Sequence, residues 1–466
     1  MLASFTNRSD KPLPTTIPER IAYGMGDFAS CMLYVSTQAF LMYYYTEYVQ
    51  VQIGMVATIM LVSRLFDGFS DILIGHFIER TRSPHGKARA WILRMIIPYI
   101  LGCTLLFSVP EGWSDTAKLI YIFFSYNFAI TVVYTAINMP YGAMMTMMTQ
   151  DSYERSIIVI YRMALAAAGT AFVTAITMPL VRFFGNDTRA WTWTFLTIGC
   201  IGGAIFFITF YSCHERLGGA AEGSAPEEHD FKKAMRGLMH NNYWIMLTLA
   251  MVFVCCSDVM INTVNIYFCR FMLDDPELVG TYGMLMNLFR FGSMVVALPF
   301  LVKRIGKRNC LYIACAFIIL ALGLRLMLPH SVPAFYAFSI LYGLAQGFTY
   351  TSLFAMIPDT VEYGEYLDGQ RHEGYIYAGP SFGTKVAAGL GPVLVGFVLS
   401  LGGYVEGASE QSAEAMNYLL MASTVVPGVV LLLGVIALLR YRLDKEYPDI
   451  IRELGLRHAG KAAPGS

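Results

Sequence analysis

Ser63-Arg64-Leu65-Phe66-Asp67-Gly68-Phe69-Ser70-Asp71 sits in the middle of an otherwise apolar run from Gln52 to Ile78. A run of that length matches a helical membrane crossing, which takes about 20 residues. An ionised aspartate near the bilayer centre costs roughly 2.5–3.5 kcal/mol even on insertion scales. Two of them are tolerated only if they face the protein interior and meet positive charge there. Positions i and i+4 share one face of a helix. Asp67 and Asp71 therefore form a single anionic clamp, and the residue pattern predicts a cation site inside a transport protein.

Composition sets the same frame. The chain has 466 residues, is 56% hydrophobic and 14% charged, and has a mean hydropathy of +0.52. Soluble domains carry about 25% charged residues, so this is a polytopic membrane protein whose main partner is the lipid bilayer. The formal net charge of +0 implies no nucleic-acid partner. The first residues are polar, with Arg8, Lys11 and Arg20, and contain no short apolar core ahead of a cleavage site, so no signal peptide is expected. The cysteines have no C-x-x-C spacing, and Cys103, Cys200, Cys255, Cys256 and Cys315 lie in apolar runs. They read as small buried hydrophobes rather than disulfides or metal ligands. The sequons at Asn7 and Asn186 read as chance matches.

Spanning windows fall near 21–47, 52–78, 91–110, 117–147, 157–183, 190–212, 243–270, 278–302, 309–328, 333–358, 375–402 and 415–440. The expected fold is an all-α membrane protein of twelve transmembrane helices in two six-helix bundles. The expected divisions are 1–213, a polar linker 214–242, 243–441 and a tail 442–466. Of the 33 Lys and Arg, 23 fall on the side of the termini and linker, four on the opposite side and six within spans. The positive-inside bias places both termini in the cytoplasm. A basic, glycine-containing turn recurs after spans 2 and 8: Gly75-His-Phe-Ile-Glu79-Arg80 with Gly86-Lys87, and Val302-Lys303-Arg304-Ile-Gly306-Lys307-Arg308. This resembles the cytoplasmic loop signature of the major facilitator superfamily.

Polar residues inside the spans are the functional inventory. They are Asp27, Arg64, Asp67, Asp71, Thr135, Asn138 and Arg162 in the first half, and Asp258, Asn262, Arg290, Arg325 and Lys385 in the second. Unpaired buried charge is costly, so Asp27 is expected to pair with Arg162 and Lys385 to answer the clamp. Arg64 stays unassigned, either pairing with the clamp or reaching for the interface. Asp258, Arg290 and Arg325 lie near span ends, where a structural role is the simpler reading. Tyr134 and Tyr350 share spans with polar positions and suit stacking on the apolar face of a sugar.

Longer motifs identify a family. Tyr23-Gly-Met-Gly-Asp27-Phe-Ala, Met42-Tyr-Tyr-Tyr-Thr46, Arg64-Leu-Phe-Asp67-Gly-Phe-Ser70-Asp71, Thr81-Arg82-Ser-Pro-His-Gly86-Lys87-Ala-Arg-Ala-Trp91, Asn138-Met-Pro140-Tyr, Pro358-Asp359-Thr-Val-Glu362-Tyr363-Gly364-Glu365-Tyr366 and Lys385 in its glycine-rich helix occur in order. Over nearly its whole length the chain resembles the glycoside-pentoside-hexuronide:cation symporters, typified by melibiose permease. The resemblance implies a secondary transporter in a bacterial inner membrane, working as a monomer without cofactor and coupling sugar uptake to a monovalent cation, Na⁺ or H⁺. It places the cation at Asp67, Ser70, Asp71 and Thr135 with Lys385 nearby; Asp67 and Asp71 would ligate the metal if the ion is Na⁺. It places the sugar at Asp27, Asn138 and Arg162, with Tyr134 and Tyr350 as walls.

Three departures matter. Asn138 stands where the melibiose pattern has aspartate, Gly142 where it has tryptophan, and Ser70 where asparagine is usual. The first removes a negative charge beside Arg162, which favours an anionic glycoside. Two other readings remain: a sugar sensor that kept the fold and lost transport, and an intramembrane aspartyl protease suggested by Gly24-Met-Gly26-Asp27. The protease reading lacks a partner aspartate motif in an earlier helix, since Asp27 lies in the first span. No enzyme activity is expected.

Overall fold

A bilayer offers no hydrogen-bond partners, so a spanning segment must satisfy its own main chain, and an α-helix does so within one strand of chain. The computed structural model describes residues 15–81, 83–149, 152–216, 240–294, 304–368 and 373–462, and all regular structure in them is helical. Twelve helical spans are present among the described residues. They are α1 (17–48), α2 (Ile53–Glu79), α3 (Lys87–Leu106), α4 (115–148), α5 (Ser152–Phe183), α6 (Thr188–Ser212), α7 (Asn242–Met272), α8 (Leu278–Gly292), α9 (Lys307–Met327), α10 (Val332–Asp368), α11 (Glu373–Leu401) and α12 (413–437). Each overlaps its expected window. Most of the expected linker, residues 217–239, and the far part of the eighth window lie outside the described residues. The expected tail contains one more helix, α13 (Leu443–Ala462).

Nine of the described helices are long and apolar enough to cross a membrane on length and composition. The exceptions are informative. α1 carries Glu19, Arg20 and Asp27, and α2 carries Arg64, Asp67 and Asp71. In α2 the apolar stretch is counted only over Ile53–Arg64, because several side chains beyond it lie outside the described residues. α8 falls short because only its first 15 residues are described as helix.

The repeat seen in the sequence has a structural counterpart. Gly86 and Gly306 precede α3 and α9 with φ of 94° and 82°, a left-handed conformation that favours glycine. Beside each turn a carboxylate caps the helix that follows. Glu215, just past α6, accepts from the main-chain N–H groups of Lys87 at 3.0 Å and Arg89 at 2.8 Å. Asp444, just past α12, accepts from the Arg308 N–H at 3.0 Å. Negative charge there also meets the positive end of the helix dipole.

The two bundles meet along two seams. At the α5–α8 seam a Cβ on Gly283 would lie 2.0 Å from Thr174 Oγ1, so the helices approach closely only because that position has no side chain. At the α2–α11 seam the Arg64 side chain lies against Gly389, whose Cβ would meet Arg64 Cγ at 3.0 Å. α1 contains π turns at Thr37–Leu41 and Tyr44–Tyr48, and α4 contains one at Asn127–Tyr134. Such turns add a residue per turn and recur at functional sites. α12 breaks at Thr424; Pro427 follows in the first turn of the next segment, where its missing N–H is tolerated. All nine cysteines are free thiols. Cys200 departs from the expected burial and is exposed, on the outward side of α6.

Candidate functional site

The site begins with Asp67, which is 5% exposed. Its Oδ2 accepts from Arg64 Nη1 at 3.0 Å, and its Oδ1 accepts from Thr131 Oγ1 at 2.6 Å. Ser70 Oγ donates to the Thr131 carbonyl at 2.8 Å and to the Asp67 carbonyl at 3.0 Å. α2 and the π-helical part of α4 are thus stitched together around one carboxylate. The Asp71 side chain lies outside the described residues, so the geometry of the clamp is that of Asp67 alone.

Asp67 opens onto a cavity of about 370 Å³ between the bundles. Tyr34 from α1, Arg64 from α2, Tyr134, Thr135 and Asn138 from α4, and Lys385 from α11 line it. Five of the residues expected to bind cation or sugar therefore share one chamber: Asp67, Thr135, Asn138, Tyr134 and Lys385. The Tyr34 and Tyr134 rings stack at 5.4 Å and form its aromatic wall. The nearest cation to Asp67 Oδ2 in ion-pair distance is Arg64, which the sequence left unassigned; Lys385 lines the same chamber from the facing bundle. Among the described residues no group of three or more His, Cys, Asp or Glu is placed to hold a metal ion.

Asp27 and Arg162 are paired, with Arg162 Nε donating to Oδ2 at 3.0 Å and Nη2 to Oδ1 at 3.4 Å. The guanidinium also lies 5.3 Å from the centre of the Tyr141 ring. Tyr141 is held against α1: it stacks on Tyr23 at 4.6 Å, and its hydroxyl donates to the Tyr23 carbonyl at 2.5 Å. Both charges of the pair are anchored on α1 and α5 in the first bundle.

Tyr350 lies in the second bundle, where its hydroxyl donates to Asp258 Oδ2 at 2.9 Å. Asp258 also accepts from Tyr342 at 2.6 Å, Gln346 at 2.9 Å and Asn262 at 3.0 Å. Four neutral donors on one carboxylate are what a desolvated anion requires. This hub was missed in the sequence, yet its signal was present: Tyr342, Gln346 and Tyr350 recur every four residues on one face of α10. Arg325 is 1% exposed and its guanidinium has no hydrogen-bond partner among the described residues. It rests instead on Phe268 at 3.7 Å and Phe338 at 4.8 Å, a cation held by ring faces.

A larger cavity, about 680 Å³, lies at the end opposite the termini, away from Asp67. Its floor is a barrier between the bundles. Arg270 of α7 contacts Glu47 of α1 at 2.7 Å and donates to the Tyr43 hydroxyl at 3.0 Å. Tyr404 donates to the same Glu47 carboxylate, Thr46 bonds Tyr267 at 2.8 Å, and Glu406 accepts from the Ile53 N–H at 2.8 Å. At the end carrying the termini, the ion pairs Arg216–Glu19, Arg20–Glu154 and Lys307–Asp359 each stay within one bundle. The larger cavity is therefore a vestibule outside a closed barrier, and the smaller one is lined by Arg64, Asp67 and Lys385.

Comparison with known proteins agrees with this architecture. The family described as MFS/sugar transport protein matches residues 22–445. The chain is 31% identical over 446 residues to the uncharacterized symporter YnaJ of Bacillus subtilis (strain 168), covering 94% of each. It is 29% identical over 490 residues to the isoprimeverose transporter of Lactiplantibacillus pentosus, covering 99% of each. Its fold matches the crystal structure of the nucleoside transporter NupG with a TM-score of 0.63 at 13% identity, over 92% of this chain and 100% of that one.

Proposed function

We propose a function from one premise: the chain belongs to the MFS/sugar transport protein family. Its relatives are transporters rather than enzymes, and sugar transport is named by the family description and by the isoprimeverose transporter. Within that frame, the protein is a cation-coupled symporter that carries a glycoside, pentoside or hexuronide into the cell by alternating access. The observation that carries this reading is Asp67, buried between Arg64 and Thr131 on the wall of a chamber between the bundles.

The chemistry follows from charge. With no cation bound, Arg64 neutralises Asp67, and the second clamp carboxylate repels it if both are ionised. Na⁺ could take oxygens from Asp67, Ser70, Asp71 and Thr135, whereas H⁺ needs one carboxyl whose affinity is raised by its like-charged neighbour. Either ion competes with Arg64 for Asp67 and frees that guanidinium toward the chamber that Tyr134 and Asn138 share. Cation and sugar then favour one another by the same factor in each direction, about 1–3 kcal/mol in typical cases. Asp27, Asn138 and Arg162 are assigned to the sugar, with Tyr134 and Tyr350 as walls, and Lys385 to the cation chamber.

The first bundle, 1–213, would carry the cation site and most of the sugar site, with 214–242 as a cytoplasmic linker. The charge bias supports cytoplasmic termini, and the family resemblance supports a bacterial inner membrane. The barrier at Glu47–Arg270 would then close the outer side and leave the chain closed to the exterior. A monomer contains every residue invoked. The decisive experiment is uptake of radiolabelled galactosides, xylosides and glucuronides with and without Na⁺ at two pH values. Concentrative uptake stimulated by Na⁺ or by a pH gradient is expected and names the ion. Correctly inserted protein that concentrates no sugar would sink the symporter reading in favour of a sensor.

A further inference from the structure

The sequence tied an anionic substrate to Arg162, because Asn138 leaves that arginine with one acid fewer nearby. The structure moves the argument elsewhere. Arg162 is held by Asp27 through two hydrogen bonds, Arg64 by Asp67 at 3.0 Å and Arg270 by Glu47 at 2.7 Å. Lys385 is also engaged, and Arg325 is sealed among phenylalanine rings. Arg290 is different. Half-buried on α8, it has no acid within ion-pair distance among the described residues, and its guanidinium lies 4.9 Å from the centre of the Tyr350 ring.

We infer that Arg290, seated on Tyr350, is the residue that takes the carboxylate of an anionic glycoside. The assignment rests on the sugar-transport reading above and names its substrate class. Stacking uses the face of a guanidinium and leaves its in-plane N–H donors free, the edge that grips a carboxylate with two parallel hydrogen bonds. The platform is rigid, because the Tyr350 hydroxyl is fixed to Asp258, and Asp258 is satisfied by Tyr342, Gln346 and Asn262 without an ion pair to Arg290. Arg290 also stands two turns beyond Gly283, on the face of α8 that packs against Thr174 of α5 in the first bundle. A sugar whose hydroxyls meet Asp27 and Arg162 on one wall would present an acid group to Arg290 on the other.

The test is calorimetric titration of the purified full chain with methyl β-D-glucuronide, methyl β-D-glucoside and methyl β-D-xyloside. The glucuronide is expected to bind about tenfold more tightly than the glucoside. Arg290→Gln should erase that preference and leave binding of the neutral sugars intact, and Arg290→Lys should keep part of it. Should the glutamine variant fail to fold, the lysine variant decides: a weakened preference supports the assignment and an unchanged one overturns it. Absence of acid preference in the unaltered protein, or its survival in Arg290→Gln, also overturns it. Neutral sugars bound and concentrated without acid preference would leave the transporter reading standing; no sugar bound or concentrated would remove both.

Discussion

Arg64 donates to Asp67 across a single turn of α2, at 3.0 Å, with both side chains almost sealed from solvent. The basic residue that neutralises the buried carboxylate is thus its neighbour in sequence, and we propose that a cation reaching Asp67 competes with it. The competition has measurable consequences.

Removing one partner of a buried pair costs about 3–5 kcal/mol, because the other is left charged and alone. Arg64→Gln is expected to lower the melting temperature in cation-free buffer. Added coupling ion should then recover more of the loss than it adds to the unaltered protein. Thermal unfolding with and without Na⁺, at two pH values, checks this; equal gains in both proteins would show that Arg64 does not compete with the ion.

Thr131 donates to the other oxygen of Asp67 at 2.6 Å. A hydrogen bond to a charged group contributes about 1.5–3 kcal/mol, so Thr131→Val should weaken cation activation of uptake by about tenfold or more. Thr131→Ser should retain it. The readout is the ion concentration giving half-maximal uptake.

The contact between Glu47 and Arg270 bridges the bundles at the end opposite the termini. Glu47→Gln keeps the shape and removes the charge. Opening of that end should rise by about tenfold, the equivalent of about 1.4 kcal/mol. Spin-label distances across the two rims would register it as growth of the longer population, and an unchanged distribution would mean that the barrier rests on packing instead.

Gly283 and Thr174 set how closely α5 and α8 approach. Overpacking such a contact costs about 1–3 kcal/mol, so Gly283→Ala should lower thermal stability and uptake together. Thr174→Gly in the same chain should restore much of both, a coupling that a double-mutant cycle measures directly.

Much of this molecule was legible in the chain. The twelve windows, the recurring basic turn at Gly86 and Gly306 and the pairing of Asp27 with Arg162 by sign alone all have counterparts in the structure. The helical face shared by Tyr342, Gln346 and Tyr350 was equally open to reading and was overlooked because Asp258 seemed to lie near a span end. Thr131 stands four residues before Thr135, yet a π turn runs from Asn127 to Tyr134. The register of hydroxyls facing α2 therefore could not be counted from a 3.6-residue period.

The sequence by itself determined the spans, their number and the helices that carry charge into the interior, because the bilayer acts as a solvent on each segment separately. It also determined that Asp67 had to be answered by a cation. Only the tertiary structure decided that Arg64 lies in reach of Asp67, that Arg290 has no acid within ion-pair distance among the described residues, and that the barrier lies at Glu47–Arg270. Those choices depend on distances of a few ångströms between helices far apart in the chain, and Coulomb energy in a low-dielectric interior follows distance in space rather than order in sequence.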